Sequence, residues 1–335
     1  MQMQELQRKD RRGMVMKQDT QKDPRQGDNK DRREQDQHNN AEKNNTSQTI
    51  KNNTSQTIRY PAAAGMFYPS DPKDLEGEVG VLIFEAKERL LKKAKKKDKK
   101  ESKHKILRAI IVPHAGYIYS GPVAAEGFAM LSRFSMHDHW KVILIGPSHY
   151  AYFNGAAVST ADLWRLPTGD VTVNPVTKIL CKKNFPYLVD LPEAFEKEHS
   201  LEVQIPFLQQ ALANFSIIPI LVSVMDPERL ANIIKEYHDD ETIIVISSDL
   251  SHYHNYEEAK ELDAVTNKAV ETLNFKTLDR KGEACGKTPI MTLMHLAKTK
   301  GWKIELVAHN NSGDTAGDKS KVVGYSCFAA YEETD

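Results

Sequence analysis

Cysteine is scarce in this chain: Cys181, Cys285 and Cys327 are the three in 335 residues, and none lies close to another. That excludes a disulfide framework and a structural zinc knuckle, and it fits a reducing compartment. No apolar run approaches the roughly 18 residues a membrane-spanning helix needs, and the first residues lack the apolar stretch of a secretory signal. Net charge is missing as well, with 46 Lys+Arg against 46 Asp+Glu. A balanced surface sets up no field that would draw in nucleic acid or an anionic membrane. The expectation is a soluble, cytoplasmic protein with neither as partner.

Residues 1 to 57 contain no Phe, Trp or Tyr, and Leu6 is their only leucine. Such a segment cannot bury enough apolar surface to offset the entropy of ordering it, so a disordered polar tail is expected. A short tandem repeat, "NNTSQTIK" then "NNTSQTIR", ends it; so polar a unit has no face to stack and reads as local duplication. The basic run "KKAKKKDKKESKHK" carries no interleaved aromatics and reads as a solvated helix end and loop.

From residue 58 to 335 the chain alternates. Apolar, β-branched runs predict strands at 106–112, 141–145, 217–224, 242–247, 304–309 and 322–330. Helical spacing predicts helices over 73–97, 123–134, 201–213, 227–238, 257–273 and 289–300. Near-continuous apolar strands separated by helices define one α/β domain with a mainly parallel or mixed central sheet flanked by helices.

Ligands in such sheets gather at the carboxyl ends of the strands, so the residues just past each strand are informative. His114 lies past the first in "PHAGYIYSG" and His149 past the second in "GPSHY". Asp249, His252 and His254 lie past the fourth in "SDLSHYH", and Asn310, Ser312 and Asp314 past the fifth. A single histidine there is more often structural; the shared location of several favours a site. Cys285 precedes a predicted helix whose first turn holds Pro289, where the helix dipole favours thiolate, although a small buried residue would also suit that position. His199 and Glu202 would share a helical face, as an acid–base pair or as capping groups. Two imidazoles and a thiolate leave an open position on zinc, ferrous iron or copper alike.

The motifs "RYPAAAGMFYP", "PHAGYIYSG", "ILIGPSHY", "EHSLEVQIPFLQ", "VISSDLSHY" and "ACGKTPI", in that order, resemble the Memo family, mediators of cell motility with bacterial and archaeal relatives. The opening motif looks like the prokaryotic branch, the AmmeMemoRadiSam system protein B. The resemblance implies the fold of the class III extradiol dioxygenases. It implies that His114, His149 and Cys285 hold iron or copper, where those enzymes use glutamate as the third ligand. It makes His252 the acid–base histidine with Asp249 beside it, and it places His199 and Glu202 in the same pocket. Pathway partners resembling AMMECR1 and a radical-SAM protein are also implied.

A thiolate in place of a carboxylate lowers the effective charge on the metal and adds an oxidisable group, so ring cleavage does not carry over. Three functions compete. The first is a non-haem metal-dependent oxidoreductase, the second a non-catalytic scaffold taking a small molecule or peptide in the same pocket, and the third a metal-storage protein.

Overall fold

The computed structural model describes residues 56–96, 104–133 and 137–334. The tail expected over residues 1 to 57 lies outside them except for Gln56 and Thr57, as does the centre of the basic run. Thr57 is already anchored, its backbone N–H and hydroxyl both donating to Asp162.

The strands are β1 (Ile58–Arg59), β2 (His104–Val112), β3 (Trp140–Pro147), β4 (Ala156–Val158), β5 (Leu163–Leu166), β6 (Gly169–Thr172), β7 (Leu188–Asp190), β8 (Phe215–Val222), β9 (Thr242–Ser247), β10 (His252–His254), β11 (Lys303–Asn311) and β12 (Val322–Thr334). The main sheet runs β10-β12-β2-β9-β3-β8-β4-β7, with β11 also on β12, and β1-β5-β6 form a small second sheet. Its centre, β2-β9-β3-β8, is parallel, while β12 is antiparallel to β2 and β4 antiparallel to β8. The architecture is therefore mixed α/β with a mixed central sheet flanked by helices.

The period of two along each strand explains the two cores. Ile110, Val112, Leu144 and Val245 face one side, packing with Phe128 and Phe207 of the helices Tyr117–Leu131 and Ile205–Ala211. Ile111, Ile143, Ile145, Ile244 and Ile246 face the other, with Leu230 and Leu293 of the helices Pro227–Lys235 and Lys287–Lys300. Burial on both faces is what made these strands legible as unbroken apolar runs.

Three departures from the sequence expectation matter for the site. The helix expected from residue 123 begins at Tyr117 and takes in Pro122, whose missing N–H leaves the carbonyl of the exposed residue Ile118 without its helical donor. Tyr117 is buried and donates its hydroxyl to the Val203 carbonyl at 2.7 Å. The helix expected over 201–213 is a 3-10 turn, Glu202–Gln204, followed by the helix Ile205–Ala211. His199 precedes both, so it shares no helical face with Glu202.

Glu202 is instead an anchor. Fully buried, it pairs with Arg59 and accepts from Ala62 N, Ala63 N and the Tyr68 hydroxyl. All four donors come from the "RYPAAAGMFY" stretch and none from a histidine. Arg59 lies over the Trp164 ring, 4.4 Å from its centroid, and donates to the carbonyls of Phe195 and Glu198 at 3.0 and 2.7 Å. Removing one member of a buried pair strands the other charge. Glu202→Ala is therefore expected to lose about 3–5 kcal/mol in urea unfolding, and a loss under ~1 kcal/mol, the scale of an exposed pair, would contradict the anchor.

Candidate metal centre

Three adjacent parallel strands place the site. Val112 of β2 is level with Ser247 of β9, and Ile145 of β3 with Ile246, so β2 and β3 end on either side of β9 at the same edge. His114 and His149 rise from those two ends and lean together, ring centroids 5.1 Å apart and nearly perpendicular. His199 enters from the loop before the 3-10 turn and stacks on His149 at 4.8 Å and on Phe67 at 4.2 Å. Among the described residues His114, His149 and His199 each have one ring nitrogen within 4.8 Å of the others, a grouping that could hold a metal ion.

Hydrogen bonds fix the tautomer of His114. The Ser247 hydroxyl donates to the Ser200 carbonyl and accepts from Gln204 Nε2 at 2.9 Å. Its one proton being spent, its 2.9 Å contact with His114 Nδ1 requires the ring N–H to donate. Nε2 is therefore the ring nitrogen that faces the site. The backbone is held too, since His114 N donates to Asp249 Oδ1 at 2.7 Å and Gln204 Nε2 also donates to the Pro113 carbonyl.

The same logic holds at His149, where Nδ1 lies 2.9 Å from Glu198 Oε1, a carboxylate that can only accept. Burial opposes charge on His149, but its hydrogen bonds to Cys285 and Glu198 outweigh it and raise its pKa to about 10. Burial likewise opposes charge on Glu198, and the hydrogen bond and charge of His149 hold it down at about 2. His199 goes the other way. Burial, then the neighbouring His114, lowers it to about 3, and its buried Nδ1 has no hydrogen-bond partner. A neutral imidazole with an unclaimed nitrogen suits a metal ligand.

Cys285 sits over the end of β9. Gly286 beside it lies so close to Ser248 that a Cβ there would meet the Ser248 Cβ at 2.7 Å and the Ser247 carbonyl at 2.9 Å, so no side chain fits. Cys285 Sγ accepts from Asp249 N at 3.3 Å and is 3.2 Å from His114 Nε2. Donors sharing one tetrahedral ion are about 3.3–3.6 Å apart, so this pair is nearly at coordinating separation. Burial disfavours a thiolate, yet the His114 imidazole and a hydrogen bond from His149 outweigh it and bring the pKa to about 6. Cys327, by contrast, is buried among apolar groups and its thiol is pushed up.

The remaining candidates separate. Asp249 is buried and spent on fixing the His114 loop, and burial raises its pKa. His252 opens β10, with Nδ1 2.7 Å from the Leu250 carbonyl, which requires an Nδ1–H and leaves Nε2 unprotonated in the neutral ring. His254 pairs with Glu258 and Glu283, and Asp314 caps a short helix with Asn311, so neither contributes to the cluster. Glu202 is the Arg59 anchor and stands apart from the cluster. Glu198 was not singled out from the sequence; its one signal is its place directly before His199 in "EHS".

A parallel core with imidazole and thiolate donors at its carboxyl edge defines an α/β protein with a candidate metal centre. The chain belongs to the Memo family, matching the Memo-like protein pattern over residues 59–329. A MEMO1 family protein of Sulfolobus acidocaldarius is 36% identical over 280 residues, covering 79% of this chain and 96% of that one. One of Aquifex aeolicus is 38% identical with the same coverage. The crystal structure of an uncharacterized protein from Escherichia coli K12 overlays with a TM-score of 0.44 and 12% identity, covering 66% of this chain and 99% of that one. Among the described residues no helix is long and apolar enough to cross a membrane.

In metal-free protein, alkylation of Cys285 by iodoacetamide should rise with a midpoint near pH 6. His114→Ala should move that midpoint upward. A midpoint near the ordinary thiol value of about 8.5 in the natural sequence would contradict the thiolate.

Proposed function

We propose that this chain is a non-haem metal-dependent oxidoreductase whose iron or copper is held by His114, His149 and Cys285, with His199 beside them. The observation that carries the reading is the paired commitment of both Nδ1–H groups, one to Ser247 and one to Glu198, which turns both Nε2 atoms to the site, where a metal would take the place of the Nε2 proton of His149. When bound, iron or copper would supply a Lewis acid, a one-electron carrier and an open coordination position.

The chain's own groups do the rest. His114 and His149 keep fixed orientation through buried hydrogen bonds. Asp249 holds the loop that carries His114. His252 presents an Nε2 able to take or return a proton, the acid–base role expected of it. Phe67, stacked on His199, holds the orientation of that ring.

A second reading, a metal-free pocket for a small molecule or peptide, is favoured by one observation. Cys285, His149 and Glu198 satisfy one another's charge without an ion. Metal content separates the two. Protein purified without oxygen should carry about one iron or copper per chain by plasma mass spectrometry, lost in His114→Ala, His149→Ala and Cys285→Ser. Protons compete for the same donors, so affinity should fall as pH drops from about 10, where His149 takes up its second proton, and fall further below about 6, where Cys285 takes up its own. Absent metal, or metal indifferent to all three changes, would favour the binding pocket instead.

A further inference from the structure

We infer that Glu198 is the positioning residue of this centre: one buried carboxylate that sets the tautomer of His149 and seats the loop of His199, and so fixes the site's metal affinity. The inference rests on the proposed metal centre for its affinity arm, and on geometry alone for the rest.

Glu198 is 2% exposed. Its Oε2 accepts the backbone N–H of His149 at 2.6 Å. Its Oε1 accepts His149 Nδ1 at 2.9 Å and the backbone N–H groups of His199 and Ser200 at 3.0 and 2.9 Å. Four donors thus converge on a group that only accepts while ionised. Two belong to the chain leaving β3 and two to the loop carrying His199, so the carboxylate joins two segments distant in sequence. Its own carbonyl is held by Arg59, which places the clamp in register with the Glu202 anchor.

An isosteric amide cannot do this. Glu198→Gln must turn its NH2 either toward the His149 backbone N–H, where donor meets donor, or toward His149 Nδ1 and the His199 and Ser200 N–H groups, where it also breaks the seat of the His199 loop. In the second case Nδ1 must give up its proton to accept from the amide and the ring keeps its proton on Nε2, where a metal needs the lone pair. A residue serving only to stabilise the loop would lose stability without moving the ring proton.

The experiment uses the full chain with cobalt(II) as the metal probe. In metal-free protein the Nδ1–H resonance of His149 should be observed by nitrogen-15 correlation NMR, assigned by its loss in His149→Ala, and should vanish or shift in Glu198→Gln. Cobalt binding, followed by its visible absorption, should weaken about 10- to 100-fold in Glu198→Gln, as expected for an outer-shell partner. Glu126→Gln, which alters another buried carboxylate, paired with Arg89, should bind cobalt as the natural sequence does.

An unchanged His149 ring proton, an affinity within about twofold of the natural chain, or an equal loss in Glu126→Gln would each overturn the inference. If the natural sequence binds no cobalt, the metal reading fails. The ring-proton comparison then still decides whether Glu198 positions His149.

Discussion

The Arg59 guanidinium, buried against Glu202 and Trp164, is the contact on which the site's architecture depends. It ties the beginning of the folded region to the carbonyls of Phe195 and Glu198. A buried ion pair is rarely a large net stabiliser compared with an apolar replacement. Its effect here is specific placement: the 195–202 segment can satisfy Arg59 in only one position, and that position lays His199 over the carboxyl edge of the sheet. The short 3-10 turn, Glu202–Gln204, continues the same device, since Gln204 reaches under the site to Pro113 and Ser247.

Above that foundation the site is a set of compensating charges in a place that disfavours charge. Burial would protonate Glu198 and Cys285 and deprotonate His149. Mutual hydrogen bonds reverse all three, while His199, lacking a comparable bond to its Nδ1, follows burial and stays neutral. Two imidazoles of one cluster therefore behave oppositely although their rings stack. The difference lies in whether Nδ1 meets the carboxylate at 2.9 Å, as in His149, or at 3.5 Å, as in His199.

Much of the fold was legible because its central strands are buried on both faces. Unbroken apolar runs marked β2, β3, β8 and β9, and the glycines, prolines and histidines after them marked the edge where ligands gather. The stretch from residue 150 to 195 was not legible. Its strands β4, β5, β6 and β7 have three or four residues each, too few to establish a period, and they are held by neighbours rather than by their own pattern. The helix beginning at Tyr117 was hidden by Pro122, a residue that ordinarily marks a helix start or break rather than an interior position.

The sequence by itself determined the alternating α/β order, the family motifs, and the residue types able to bind a soft or borderline metal. It determined these because burial pattern and side-chain chemistry are local properties. Only the tertiary structure decided which acidic group does what. Glu198 and Glu202, four residues apart, look interchangeable in the chain, yet one meets His149 and the other Arg59. Their separation comes from the turn between them and from partners that lie 49 and 143 residues away. Long-range hydrogen bonds of that kind are set by packing, which no local pattern records.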